Sequence, residues 1–298
     1  MLTGLIRLAR PRDWIKNVFV VLPVPFALKA MDAAGQPRSF APVSFCLGLL
    51  GFCLVTSAVY TLNDLWDAKT DRLHPRKCRR PIAAGEVSPL AAAVQLAVLL
   101  VAGLGLCVAS ERYPSVIIVL VYVAFNLAYN LGARNIPLLD VFLLSSGFVI
   151  RVVLGCALVS GASFTAWPSP WLLLCTSTLA LFLGFAKRRA DLTEDLDVSH
   201  RPSLHGYNKA FLDQAMSICA GVVILAYALY CIEVKKILQP GRELVSLPFV
   251  AYGILDYLRM VYVERIGGSP VDVAYRCPAM QGCAVGWIAA VTWSLGLW

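Results

Sequence analysis

The sequence predicts an all-α integral membrane protein, a bundle of nine transmembrane helices with two charged loops on one face. Two observations lead there. Of 298 residues, 59% are hydrophobic and only 15% charged, whereas a soluble domain of this size carries about 25% charged residues. The apolar residues also fall in continuous runs close to the ~20 residues a helix needs to cross a bilayer. A closed β-barrel would instead need short alternating strands.

Nine spans follow in order. The first, 15–33, contains Pro23 and Pro25 and should kink there. The second, 40–62, runs into a charged segment. The third, 88–110, carries no charge in "VSPLAAAVQLAVLLVAGLGLCVAS". The fourth covers 114–133. The fifth, 137–159, holds Arg151, about 20 Å deep when counted from Leu138 at 1.5 Å per residue; a buried arginine marks either a functional group or a structural ion pair. The sixth and seventh cover 169–187 and 210–232. The eighth, 244–263, is interrupted by Asp256 and Arg259, whose i, i+3 spacing lets them pair on one face. The ninth, 278–298, closes the chain. With no low-complexity stretch and no long linker, residues 1–298 read as one transmembrane domain. A coarse repeat suggests two four-helix halves, each with a charged loop, plus a ninth helix.

Lys and Arg set the orientation. With basic residues at span ends assigned to the adjoining segment, 19 of the 26 lie on one face and six on the other, and Arg151 is within a span. The basic face should be cytoplasmic, with the N-terminus inside and the C-terminus outside, as in a bacterial-type inner membrane. The opening "MLTGLIRLARPRDWIKN" shows no cleavable signal pattern. The net charge of +8 is concentrated at one membrane face. That suits anionic headgroups or a phosphorylated substrate rather than nucleic acid. Ten cysteines without a C-x-x-C pair, mostly within spans, read as small buried apolar residues. His74, His200 and His205 have no metal-type spacing and read as polar loop residues.

Charge is densest in "YTLNDLWDAKTDRLHPRKCRRPIAAG", residues 60–85. Asn63, Asp67 and Asp71 are spaced i, i+4, i+8, and Asp64 lies three residues before Asp67. If the second helix continues past the membrane surface, all four share a face. A second charged loop repeats the spacing with Lys187, Asp191 and Asp195, with Glu194 beside the stripe. Clustered carboxylates need a compensating cation. Hard oxygen donors without His or Cys suit Mg2+, which uses few carboxylates and completes its shell with water and phosphate. Arg76, Lys77, Arg79 and Arg80 would then hold phosphate oxygens beyond the metal's reach. The plainer alternative is two solvated mixed-charge connectors. Arg10, Arg12 and Lys16 precede or open the first span and read first as topology anchors, as Trp14 reads as an interfacial one.

"NDLWDAKTD" resembles the N-D-x-x-D-x-x-x-D signature of the UbiA prenyltransferase superfamily, and "DLTED" resembles its second aspartate motif. Within it, "RPRDWIKN", "HPRKCRRPIAAGEVS", "AYNLGAR", "LLDVFLLSSGFVIRVVLG" and "KRRADL" are similar to the decaprenyl-phosphate phosphoribosyltransferase branch. Asp191 replaces a glutamate expected in that branch, and Arg134 a lysine after Tyr129. The resemblance implies nine helices and transfer of 5-phosphoribosyl from phosphoribosyl pyrophosphate to a polyprenyl phosphate lipid, releasing pyrophosphate. It implies Mg2+ on Asp64, Asp67 and Asp71, and catalytic roles for these with Asp191 and Asp195. Substrate would be bound by Arg12, Lys16, Asn63, Arg76, Lys77, Arg80, Tyr129, Arg134, Arg151, Lys187 and Arg188. An oligomer is compatible with this. Two alternatives stay open. One is a prenyltransferase moving a prenyl group from its diphosphate to an aromatic or other acceptor. The other is a lipid-phosphate transporter, which the surface position of most acidic residues disfavours.

Overall fold

The computed structural model describes residues 2–35, 40–73, 77–160, 166–193, 202–264, 273 and 276–297. Among these residues the α-helices are α1 (Leu2–Ala9), α2 (Val18–Val21), α3 (Pro23–Ala33), α4 (Pro42–Trp66), α5 (Ala68–Asp71), α6 (Pro89–Ala109), α7 (Tyr113–Asn130), α8 (Leu139–Val159), α9 (Pro170–Thr193), α10 (Lys209–Glu233), α11 (Leu247–Arg259) and α12 (Pro278–Ser294). No strand occurs among the described residues. Seven helical stretches among them are long and apolar enough to cross a membrane, including the broken path Leu2–Ala33. Where the eighth and ninth spans are expected, the described residues hold helices that fall short of that length. α11 has 13 residues and passes into a π-helical turn, Met260–Glu264, and α12 has 17. The expected Asp256–Arg259 pair forms, at 2.8 Å.

Local sequence explains the boundaries. α6 starts where Ser88 caps the N–H of Ala91 and Pro89 occupies a position that needs no donor. Asn208 likewise caps α10 through the N–H of Phe211 at 2.8 Å. The first path breaks at Leu22, before Pro23, and also earlier, through a 3-10 turn at Pro11–Asn17. That earlier break follows Arg10, whose φ of 50° is left-handed; the following Pro11 disfavours the right-handed helical conformation at Arg10.

The chain forms two compact units. The first comprises residues 1–24, 39–134 and 150–167. Its centre is the α4–α6 pair, where two glycines let the backbones meet. A Cβ on Gly51 would lie 2.6 Å from the carbonyl oxygen of Gly103, and one on Gly103 2.7 Å from that of Gly51. Such small-residue contacts replace the hydrophobic driving force that helices lack inside lipid. Gly155 does the same for the end of α8, where a Cβ would be 2.2 Å from the carbonyl of Val20. On α6, Val94, Val98 and Val101 stay largely exposed, as a lipid-facing stripe requires.

The second unit comprises residues 25–38, 135–149 and 168–298. Phe182, Phe185, Leu212, Met216, Val223, Ile254 and Tyr257 form its buried core between α9, α10 and α11. α9 runs on through Thr193, so Lys187 and Asp191 share one continuous helix.

Candidate active site

The first charged motif lies wholly within the first unit. α4 ends at Trp66 and Asp67 departs from helical ψ, yet the helical path persists: the N–H of Asp67 bonds to the carbonyl of Asn63, and that of Asp71 to Asp67 at 2.8 Å. The i, i+4 spacing therefore survives the break. Asp64 and Asp71 are each 2% exposed. Buried carboxylates need compensation, and three arginines supply it. Arg80 lies 2.7 Å from Asp71 Oδ2 and 3.1 Å from Asp64 Oδ1, bridging two turns. Arg10 donates to Asp64 Oδ1 at 2.5 Å. Arg134 pairs with Asp67 at 2.7 Å. Asn63 accepts from the side-chain amide of Asn130 at 2.5 Å. Burial pushes the carboxyl of Asp71 above the ordinary range, against the opposing pull of Arg80 and Lys77.

Below this cluster a polar ladder follows α4. Lys16 pairs with Asp13 at 2.7 Å and reaches the hydroxyl of Tyr60 at 3.3 Å. Arg10 and Lys16 also stand over the Tyr60 ring, 5.2 and 5.5 Å from its centroid. Trp14 donates to Ser57 at 2.9 Å, a contact beyond interfacial anchoring. Buried Arg151 donates to Asn17 at 3.0 Å and to the Tyr122 hydroxyl at 3.4 Å, and it stacks near Phe52 and Tyr122. Arg12 is exposed, while Lys77 and Tyr129 are half-buried. Arg76 lies outside the described residues.

The second charged motif belongs to the second unit. Lys187 is exposed, but Arg188 is fully buried. Its guanidinium faces carboxylates: Nε is 2.9 Å from Asp140 Oδ2 and Nη1 2.6 Å from Asp191 Oδ2. Asp195 and Glu194 lie outside the described residues. A further pair, Arg189 with Asp213, stands beside an open groove of roughly 630 Å3 lined also by Lys209, Ser217 and Tyr262.

Among the described residues, no group of three or more His, Cys, Asp or Glu side chains is close enough together to enclose a metal ion. The donor chemistry of the first motif nevertheless fits Mg2+. That ion uses one or two carboxylates and leaves the rest of its shell to water and phosphate. Asp64 Oδ2 is buried without a hydrogen-bond partner, an oxygen whose desolvation a cation would offset. Sequence reasoning missed Asn130, Tyr60, Asp140 and Tyr207, and treated Arg10 as an anchor. Only the "RPRDWIKN" block held a signal for Arg10, since the others are chosen by tertiary contact.

Residues 23–262 match the UbiA prenyltransferase family. The decaprenyl-phosphate phosphoribosyltransferase of Corynebacterium glutamicum is 33% identical over 97% of this chain and 85% of its own. That of Mycobacterium tuberculosis is 33% identical over 98% of this chain and 94% of its own. A solved UbiA homologue from Archaeoglobus fulgidus, bound to GPP and Mg2+, has the same fold: TM-score 0.69 over 99% of both chains, at 18% identity. On the family match, the near-complete coverage and the shared helical fold, the chain is an integral membrane transferase that belongs to the UbiA prenyltransferase family.

Proposed function

We propose that this chain transfers a 5-phosphoribosyl group from phosphoribosyl pyrophosphate to a polyprenyl phosphate, releasing pyrophosphate in a Mg2+-dependent reaction. The observation that carries the reading is the interlocked cluster of Asp64, Asp67 and Asp71 with Arg10, Arg80 and Arg134. It sets carboxylates for a cation beside guanidinium forks for phosphate oxygens. Near-full-length similarity to two decaprenyl-phosphate phosphoribosyltransferases supports the choice of donor.

Asp64, Asp67 and Asp71 would hold the metal, which when bound neutralises charge growing on the departing pyrophosphate. Arg10, Arg80 and Arg134 are planar donors suited to bidentate phosphate contacts, and Lys77 adds a point charge. The ribose carbon that loses pyrophosphate develops oxocarbenium character, which the ionised acceptor phosphate answers directly. That acceptor carries no proton needing removal at neutral pH, so no general base is required. Lys16, Tyr60 and Arg151 line the membrane-embedded part of the first unit and are assigned to the lipid phosphate. Asp191 and Asp195 are assigned to the sugar hydroxyls. In this reading the chain is one domain of nine spans. α11 with its π-turn and α12 complete the count, the N-terminus is cytoplasmic and the C-terminus outside, in a bacterial-type inner membrane.

The test is purified protein with radiolabelled phosphoribosyl pyrophosphate, polyprenyl phosphate and Mg2+, with the lipid product identified by mass spectrometry. Absence of labelled lipid refutes the reading. If a prenyl diphosphate competes and is itself turned over with an aromatic acceptor, the chain is an ordinary prenyltransferase instead.

A further inference from the structure

The second unit holds a buried chain of charge that the proposed reaction does not by itself require. Asp140, in the first turn of α8, is 0% exposed, and so is Arg188 on α9. Four donors converge along this chain. The N–H of Leu138 donates to the Tyr207 hydroxyl at 2.6 Å. That hydroxyl donates to Asp140 Oδ1 at 2.6 Å, and Ser203 donates to Oδ2 at 3.1 Å. Arg188 Nε then meets Asp140 Oδ2 at 2.9 Å, while its Nη1 donates to Asp191 Oδ2 at 2.6 Å. Leu138 itself sits at φ 67°, a strained conformation for leucine. It turns the backbone N–H that starts the chain. Asp191, with a side chain 17% exposed, is more accessible than Asp140 or Arg188.

From this geometry we infer that Asp140 is a positioning residue: through Arg188 it holds the Oδ2 end of the Asp191 carboxylate, an acidic group of the second motif. Arg188 then acts as a clamp, sealed from solvent and turned toward two carboxylates. A planar guanidinium can hold two carboxylates in fixed relative orientation, which a lysine cannot. Asp140 anchors the clamp because its two oxygens are already held by Tyr207 and Ser203, so Arg188 has one seating. The inference rests on the reading above, in which Asp191 acts on the substrate.

The experiment is a double-mutant cycle on kcat/KM with Asp140→Asn and Asp191→Asn in the full-length protein. Asp140→Asn keeps the size of the side chain and removes the charge that seats Arg188. It should lower kcat/KM by roughly 10- to 100-fold alone, but less than about threefold in the Asp191→Asn background, because the two act as a unit. Losses that multiply independently would overturn the inference, since they describe a merely structural carboxylate. Arg188→Lys should fail to restore the clamp and match Asp140→Asn, and wild-type-like turnover in it would also overturn the inference. The same cycle on thermal midpoint in detergent needs no turnover, and additive shifts there would also refute the coupling. If the wild type is inactive with phosphoribosyl pyrophosphate but active with a prenyl diphosphate, the donor assignment fails while the cycle is read with the other donor. If it turns over neither, Asp191 acts on neither donor and the inference is overturned together with the reading it rests on.

Discussion

Replacing Arg80 by glutamine should destabilise the unliganded protein, and the size of the loss can be worked from the site. Arg80 is the cation nearest Asp71, at 2.7 Å, and the second cation on Asp64, at 3.1 Å. The two carboxylate side chains are 3% and 1% exposed, Arg80 about a quarter. Removing one partner of a buried pair costs ~3–5 kcal/mol. Solvent access to Arg80 and the remaining Arg10 contact on Asp64 reduce this to about 2–3 kcal/mol. At roughly 2 °C per kcal/mol for a chain of this length, the midpoint should fall by about 4–6 °C. The loss must also depend on pH. Burial raises the Asp71 carboxyl, and Arg80 opposes that rise, so in Arg80→Gln the carboxyl climbs further. A raised carboxyl is protonated in both states at low pH and carries no penalty there. The penalty grows as pH rises from the ordinary aspartate range through the folded value. The variant should therefore be closer to wild type at pH 5 than at pH 8. Asp71→Asn in the same background should recover much of the loss. Thermal unfolding in detergent with EDTA and no substrate measures all three. A midpoint shift below about 1 °C at pH 8, or an equal loss in the Asp71→Asn background, would refute the reasoning.

Asp67→Ala should reduce transfer to the lipid by at least ~100-fold, with EDTA abolishing wild-type transfer and added Mg2+ restoring it; labelled-lipid formation measures both. Tyr207 donates to Asp140, and burial and that carboxylate raise its phenol well above its ordinary value. Its stabilising contribution is therefore complete below about pH 10 and is lost as pH rises beyond. Wild type should lose stability more steeply than Tyr207→Phe between pH 9 and 11 in thermal unfolding. Gly51→Ala places a Cβ 2.6 Å from the Gly103 carbonyl. The overpacking should cost about 1–3 kcal/mol, whereas Gly105→Ala, inside α6 with open space around it, should not lower the midpoint.

What the sequence disclosed depended on whether the determinant was local. The first motif was legible because helical spacing is a backbone property, and the N–H of Asp71 still bonds back four residues across the interruption at Asp67. The Asp256–Arg259 pair was legible for the same reason. The 3-10 turn at Pro11–Asn17 was not, because an amphipathic entry segment and an unbroken helix share one hydropathy profile. Nor were the shorter α11 and α12, since apolar runs do not record where the helix gives way to a π-turn. Asp140 reads as an ordinary first-turn acid at the start of a helix. Nothing in "LLDVF" reveals that Arg188, 48 positions later, pairs with it at 2.9 Å. Arg10 reads as an anchor because neither its left-handed φ nor its contact with Asp64, 54 residues away, is recorded in the local sequence.

Those remote partners also explain why the first motif holds together without a ligand. Three acidic side chains two turns apart would repel strongly in a low-dielectric setting. Arg10, Arg80 and Arg134 bring the cluster of six to formal neutrality, which permits its burial. In the proposed reading the same pairing suits the substrate, because a divalent cation offsets part of the negative charge that the pyrophosphate brings into the site. With a metal held by Asp64, Asp67 and Asp71, the arginines released from them would be free to pair with phosphate oxygens, which limits the buried charge left unpaired. A cluster built only of aspartates would need the metal in order to fold. One built only of arginines would bind free phosphate as readily as a metal–diphosphate pair. In the proposed reading, interlocking the two would favour the paired ligand over either half, and Asp64 Oδ2, buried without a hydrogen-bond partner, is the oxygen a cation would satisfy first.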